Sequence, residues 1–273
     1  MMKKFTKTIA TLLLVGCMSA GAVGLSFAVT EQGKANAGGT YTGATGNADR
    51  SFEFTKENMD KKAFAFYGDS ITAGLGLKAN DKDYMELLQE EFGFYYYNAA
   101  VSGASVTEAA GKEGDLTANT VYAQLSKSEY IYRDADYVSI FLGTNDWGYG
   151  RALGTKDSPA DSSTICGAYK QVIERIISAN PDVKIMIMTP LGRWDTWSGG
   201  FQCSPTVNNF AATPYTLNQM TAALKEIGAM YHCKVVDLSS VVTESNRYQY
   251  LIADQIHVTP AGYQAIANAI KNA

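Results

Sequence analysis

The chain has 273 residues, of which 46% are hydrophobic and 18% charged, and this composition excludes a disordered or fibrous protein. Its 23 Lys and Arg against 27 Asp and Glu give a net charge of −4, which argues against nucleic acid as a partner, because phosphate binding needs clustered positive charge. The chain has 4 Cys without a CxxC pair and only 2 His, so a structural zinc site is not expected.

The N-terminus has the pattern of a secretory signal, and we predict a signal peptide over residues 1–37. Lysines within residues 3–7 precede an apolar run over residues 9–29, and Ala35-Asn36-Ala37 is an A-x-A cleavage site. Residues 14–17 alternatively resemble the lipobox of bacterial lipoproteins, with a lipid on Cys17, and a third alternative is an uncleaved membrane anchor. All three predict a secreted or cell-surface protein that meets the membrane only through this segment or its lipid.

The rest of the chain divides into a spacer and one domain. Residues 38–53 begin with a stretch rich in Gly, Thr, Ala and Asn, which predicts a flexible spacer. Residues 54–273 are predicted to form a single domain without internal repeats. The sequence makes no prediction about the oligomeric state.

Short apolar runs alternate with helical patterns along this domain. The predicted strands are residues 63–67, 95–98, 137–142, 183–189 and 234–237. The predicted helices are residues 84–92, 165–179 and 217–231, and a terminal helix that opens with Thr259 as its N-cap and Pro260 at its first position. Continuous apolar strands alternating with helices predict a three-layer α/β/α doubly wound parallel sheet of about five strands. In such a fold, ligands bind beyond the carboxyl ends of the strands.

Three polar or glycine-containing motifs follow the first three predicted strands. Ser70 lies in GDSIT, where a strand-to-helix turn would raise its hydroxyl above the sheet as a nucleophile; the alternative is a helix N-cap. Gly103 follows the second strand and lets a backbone N–H approach a ligand closely. Asn145 lies in GTND after the third strand, where its amide either points into the same crevice or forms only an Asx turn.

A candidate acid–base pair precedes the terminal helix. Asp254 and His257 are three residues apart, so the carboxylate can hold the imidazole Nδ1–H and leave Nε2 free as a base. The alternative is an unrelated surface carboxylate and loop histidine. The other histidine, His232, falls at the opposite edge of the sheet and is interpreted as a cation at a helix C-terminus.

Together these motifs resemble the four blocks of the SGNH (GDSL-type) hydrolase family in order, spacing and context. GDSIT matches the first block, residues 98–103 the second, GTND the third and DQIHVTPAGY the last. The resemblance implies the flavodoxin-like SGNH hydrolase fold, with Ser70 as nucleophile, His257 as base and Asp254 as its orienting acid. It further implies an oxyanion hole formed by the N–H groups of Ser70 and Gly103 and the side chain of Asn145, and neither a metal nor a cofactor.

Two predicted insertions at the crevice, residues 147–163 and 191–214, suggest the substrate. They carry aromatic and basic residues among many polar ones, and the candidates for substrate binding are Trp147, Arg193, Trp194 and Trp197. The alternative is that these aromatic residues only pack the loops onto the domain. We expect a serine esterase acting on short-chain acyl esters, O-acetyl esters in particular, of a glycan or an acylated small molecule. A lysophospholipase, lipase or thioesterase of the same family and a non-catalytic carbohydrate-binding module are the alternatives.

Several further residues receive structural interpretations. Asp69 and Asp146 are predicted to make turn hydrogen bonds. Cys166 and Cys203 fall on the crevice side and could pair in an oxidising compartment, whereas Cys233 is predicted to be a buried small apolar residue.

Overall fold

The computed structural model describes residues 48–108, 120–121, 124–125, 128–195, 200–202 and 215–273. The predicted signal peptide, Cys17 and most of the predicted spacer lie outside these residues. The described part forms an α/β domain built around a parallel sheet.

The sheet has five parallel strands in the order β2-β1-β3-β4-β7. In chain order the strands are β1 (Ala63–Gly68), β2 (Tyr95–Asn98), β3 (Tyr137–Phe141), β4 (Lys184–Met188), β5 (Arg193–Asp195), β6 (Gly200–Gln202) and β7 (Lys234–Val236). The short strands β5 and β6 form a separate antiparallel pair that the sequence analysis did not predict. The five strands of the main sheet lie where the apolar runs predicted them.

Helices connect the strands, and the longer ones coincide with the predicted helices. In chain order they are α1 (Lys56–Met59), α2 (Tyr84–Phe92), α3 (Glu129–Arg133), α4 (Thr144–Gly148), α5 (Ile165–Ala179), α6 (Leu217–Met230), α7 (Arg247–Tyr250) and α8 (Pro260–Lys271). The starts of α5, α6 and α8 are fixed by N-cap threonines whose hydroxyls accept a backbone N–H from the first turn: Thr164, Thr216 and Thr259.

Alternate residues of β1 face two separate hydrophobic cores. Ala65 and Tyr67 belong to the core that also contains residues of α5 and α6. Phe64 and Phe66 belong to the core that contains residues of α2 and α8. Because each large apolar side chain stabilises the fold by about 1.5–3 kcal/mol when fully buried, both faces of the sheet need a helical cover. The predicted three-layer α/β/α architecture is therefore confirmed.

The ordered packing begins earlier than the predicted domain boundary at residue 54. Arg50, which is only 3% exposed, donates from Nη1 to the carbonyl oxygen of Pro181 at 2.6 Å. Its backbone pairs with Cys233 at the edge of the sheet, and its N–H donates to the carbonyl of His232. The segment at residue 50 therefore packs against the amino ends of β4 and β7. The sequence did not predict this packing, because an arginine in a polar stretch gives no indication that its side chain is buried and hydrogen-bonded.

The remaining fold-level expectations concern membrane contact and cysteines. In the ranges described above, no helix has both the length and the apolar character that a membrane crossing requires. Cys166 is a buried free thiol, so the structure shows no disulfide at this residue, and Cys203 lies outside the described residues. Cys233 is buried, as predicted.

Candidate active site

The first strand ends in a tight turn that presents Ser70. Gly68 is required at the end of β1, because a Cβ there would overlap the side chain of Thr72. The turn is closed by backbone hydrogen bonds from Ala73 N to Asp69 O and from Leu75 N to Ser70 O, each 2.9 Å long. Ser70 therefore lies in a succession of turns and is not a helix N-cap.

The side chains of Ser70, His257 and Asp254 form one hydrogen-bonded chain. His257 Nε2 lies 2.8 Å from Ser70 Oγ, and His257 Nδ1 lies 2.6 Å from Asp254 Oδ2. With the proton assigned to Nδ1, this ring nitrogen donates to the carboxylate and Nε2 accepts the Ser70 hydroxyl proton. The arrangement can deprotonate Ser70, which is 6% exposed, at the moment when it attacks a substrate.

The acid–base pair is held by its own local turn. Asp254 Oδ1 accepts the backbone N–H groups of Ile256 and His257, both at 2.9 Å, and this leaves Oδ2 for the imidazole. Gln255 adopts a left-handed conformation with φ 59°, which is unfavourable for a residue with a side chain. The hydrogen bond from Ile252 N to His257 O at 2.8 Å closes the turn in this geometry.

Hydrogen bonding keeps Asp254 ionised. Partial burial works to raise the pKa of Asp254, but the hydrogen bonds from the His257 ring and from the two backbone N–H groups outweigh it, so the pKa lies below its usual value. A carboxylate that stays charged at neutral pH can stabilise the imidazolium that forms when His257 takes a proton.

Long-range hydrogen bonds place the Ser70 turn against the rest of the domain. The Tyr263 hydroxyl of α8 donates to the carbonyl of Ile71 at 2.7 Å. Asn98 Nδ2, at the end of β2, donates to the carbonyl of Thr72 at 2.9 Å. Sequence reasoning used residue 98 only as the start of a motif and missed both contacts, which depend on how distant elements dock.

Gly103 and Asn145 are brought to the same edge of the sheet. Gly103 has φ +79°, a left-handed conformation suited to glycine. Asn145 Nδ2, in the first turn of α4, donates to the carbonyl of Ala104 at 2.8 Å. Val101 N donates to the carbonyl of Gly68 at 3.0 Å, which joins the Gly103 loop to the Ser70 turn. The predicted oxyanion-hole residues therefore lie on adjoining segments.

Two buried carboxylates lie beneath this region. Asp69 Oδ1 accepts the N–H of Ile71 in the predicted Asx turn. Burial raises the pKa of Asp69 to about 7; the Ile71 hydrogen bond opposes the rise and the charge of Asp146 adds to it. Asp146 does not make the predicted turn hydrogen bond, because its carboxylate instead accepts from Val106 and Thr107 on the loop after β2. Among the described residues, no group of three potential metal ligands is present.

The predicted substrate-binding residues have different environments. Trp147 is 1% exposed, belongs to the hydrophobic core and donates from Nε1 to the carbonyl of Tyr215, so its prediction as a substrate contact is wrong. Arg193 is partly buried and donates from Nη1 to the carbonyl and hydroxyl oxygens of Thr144, at 3.1 and 3.0 Å, beside Asn145. The side chains of Trp194 and Trp197 lie outside what the structure describes.

Comparisons with known proteins agree with the architecture. The sequence profile of the GDSL-like Lipase/Acylhydrolase family matches residues 66–265. A solved structure of a possible lipase from Chitinophaga pinensis is 23% identical, with a TM-score of 0.59, covering 78% of this chain and 97% of that chain. A variant of an acetyl xylan esterase from Geobacillus stearothermophilus is 22% identical, with a TM-score of 0.52, covering 80% and 96%. At these identities the two structures show a shared fold, and no curated protein is significantly similar in sequence.

Proposed function

We propose that this chain, which belongs to the GDSL-like Lipase/Acylhydrolase family of ester-hydrolysing enzymes, is an extracytoplasmic serine esterase. Its proposed reaction is the removal of short acyl groups, chiefly O-acetyl groups, from carbohydrate. The observation that carries the proposal is the continuous hydrogen-bonded chain from Ser70 Oγ through His257 to Asp254. This chain has the donor and acceptor order that acyl transfer through a serine requires.

The proposed reaction proceeds through an acyl-enzyme. Ser70 Oγ attacks the ester carbonyl carbon while His257 Nε2 takes the hydroxyl proton, and Asp254 stabilises the imidazolium. The oxyanion of the tetrahedral intermediate accepts hydrogen bonds from the N–H groups of Ser70 and Gly103 and from the Asn145 amide. The intermediate collapses as His257 returns the proton to the leaving sugar oxygen. Water then attacks the acyl-Ser70 ester, again with His257 as the base, and releases the carboxylic acid.

The preference for a short acyl group on a sugar rests on the segments around the site. The insertion over residues 147–163 contains Gly, Ser, Thr and Asp in place of the run of Leu, Ile, Val and Phe that an acyl-chain tunnel needs. Tyr149, at the end of α4, is 52% exposed and can stack on the C–H face of a sugar ring. Arg193, beside Asn145, is a charged donor for ring hydroxyls.

The proposed location outside the cytoplasm rests on the N-terminal pattern over residues 1–37. Polysaccharides are found outside the cell, so this location is compatible with the proposed substrate class. Intact-mass measurement of the protein exported by its native cells distinguishes cleavage after Ala37 from a lipid on Cys17.

The substrate proposal is tested by comparing acyl donors on the purified protein. We expect kcat/KM to be higher for p-nitrophenyl acetate than for the decanoate, and free acetate to be released from acetylated xylo-oligosaccharides. Ser70→Ala should abolish both activities without loss of fold, since it removes only the nucleophilic oxygen. A preference for the decanoate, with no acetate released from any acetylated glycan, would reassign the enzyme to long-chain acyl substrates.

A further inference from the structure

Two consecutive residues of α4 hold the loop that follows β2. Asp146 is fully buried, and its Oδ2 accepts the backbone N–H of Val106 at 3.0 Å. Its Oδ1 accepts both the backbone N–H and the hydroxyl of Thr107, at 2.9 and 2.7 Å. The preceding residue, Asn145, donates to the carbonyl of Ala104. Four hydrogen bonds from adjacent side chains therefore fix residues 104–107 to the end of β3.

Gly103 has open space on the side where a side chain would stand. Among the described residues other than its chain neighbours, no atom lies within 4 Å of the position that a Cβ on Gly103 would occupy, and its φ is +79°. The direction of its N–H is consequently set by the segments on either side. On the upstream side, Val101 N donates to the carbonyl of Gly68 and Ala104 N donates to the carbonyl of Val101. On the downstream side, the anchors are the hydrogen bonds to Asn145 and Asp146.

Burial of a carboxylate in the core is unfavourable in free energy, because the group loses its hydration, unless hydrogen-bond donors of the protein replace the water. A buried carboxylate without donors is strongly unfavourable, and Asp146 receives three, two of them from backbone N–H groups of one loop. Burial raises the pKa of Asp146, and the hydrogen bonds from Thr107 and Val106 act against that rise. The three hydrogen bonds of the carboxylate go to this loop, which continues from Gly103 and also accepts the Asn145 amide.

We infer that Asp146 is a positioning residue for the oxyanion hole: it fixes the Gly103 loop against Asn145, so that the Gly103 N–H and the Asn145 amide converge on the developing oxyanion. The inference rests on the proposed function, because it assumes that these two groups bind the oxyanion. Such a positioning residue stabilises the transition state more than the bound substrate, so its loss lowers kcat more than it raises KM. A residue that only stabilises the core would change the amount of folded enzyme and leave kcat per active site unchanged.

The test is Asp146→Asn, which keeps the shape of the side chain. An amide turns a donor toward either Val106 N or Thr107 N, so at least one backbone N–H loses its acceptor and the loop shifts. We expect kcat for p-nitrophenyl acetate to fall by about 10–100-fold while KM stays within about twofold, since a small misplacement of a catalytic group has an effect of this size. Rates are expressed per active serine, titrated with a fluorophosphonate.

Two further variants separate positioning from folding. Asp83→Asn removes the charge of another buried carboxylate, whose Oδ1 caps α2 by accepting from both Met85 N and Glu86 N. The oxygen of an asparagine can still accept both hydrogen bonds, so this variant should leave kcat per titrated serine unchanged. Thr107→Val removes one of the three hydrogen bonds to Asp146 and should lower kcat by about 3–10-fold with little change in KM. Thr107→Val tests the positioning role of Asp146 if the Asp146→Asn protein does not fold.

Full kcat per titrated serine in Asp146→Asn would overturn the inference, whether or not the titrated fraction falls. Unchanged kcat in Thr107→Val would overturn it where the first variant is not soluble. Failure of the proposed function gives a different result: wild-type protein would not hydrolyse the acetate ester, or Ser70→Ala would keep its activity.

Discussion

The hydrogen bonds of Asp254 predict that Asp254→Asn traps the wrong tautomer of His257. The backbone N–H groups of Ile256 and His257 donate to Oδ1 of Asp254. In the Asp254→Asn variant, these two donors require the amide oxygen at the same place. The amide nitrogen must then face Nδ1, which lies 2.6 Å from Oδ2 in the wild type. A donor at this position requires a lone pair on Nδ1, so the ring proton moves to Nε2 and faces Ser70.

The magnitude follows from the loss of the base. In Ser-His-Asp enzymes the corresponding change lowers kcat by about 10⁴, which corresponds to about 5 kcal/mol in the activation free energy. The Asp254 side chain is 42% exposed, so water screens its charge and the tautomer, more than the lost charge, accounts for the effect. We therefore expect nearly the full loss in kcat and a small change in KM.

The assay is steady-state hydrolysis of p-nitrophenyl acetate, with folding checked by circular dichroism. The matched control is Asp49→Asn, because Asp49 Oδ1 accepts the N–H and hydroxyl of Ser51 in an exposed turn before β1, and this variant loses the same charge. The control should retain wild-type kcat. A folded Asp254→Asn enzyme with kcat within about tenfold of the wild type would refute the tautomer argument.

Two other substitutions give independent predictions. Asn145→Ala should cost about 2.7–4 kcal/mol of transition-state stabilisation, measured as a loss in kcat; a rise in KM alone would instead make Asn145 a substrate-binding residue. Asp69 has a pKa of about 7 in the folded protein, against a usual value of 3.8. Between these two pH values the folded state binds more protons than the unfolded state, so the free energy of unfolding falls as the pH rises through this range. Asp69→Asn should remove this decline in urea unfolding, and parallel stability–pH curves for the two proteins would contradict it.

The sheet and the longer helices could be predicted from the sequence, because the residue patterns that indicate them involve only neighbouring residues. The strands β1, β3 and β4 are short apolar runs that are buried along nearly their whole length, whereas β2, at the edge of the sheet, is mostly exposed. The starts of α5 and α8 were predicted to the residue, α5 from its apolar periodicity and α8 from Thr259 as N-cap before Pro260. Asp254 and His257 were paired correctly for the same reason: three residues separate them.

The missed features depend on contacts between distant segments. The helix α4 is five residues long and rich in Gly, Asn and Asp, which are poor helix formers, so no periodic pattern marks it. The residue type and position of Trp147 suggested a substrate contact, but Trp147 lies in the hydrophobic core and its Nε1 donates to the carbonyl of Tyr215, 68 residues away. The partners of Asp146 lie 39 and 40 residues away, and nothing in the GTND motif indicates them.

The separation of Ser70 from His257 by 187 residues has a consequence for folding. The Asp254 turn involves neighbouring residues and can form early, whereas the contact between nucleophile and base waits until α8 docks on the turn after β1, where Tyr263 meets Ile71. Contacts between residues far apart in the chain carry the larger loop-closure entropy and form late. Recovery of esterase activity during refolding therefore reports the docking of the two ends of the domain, and it should lag behind the recovery of helical signal.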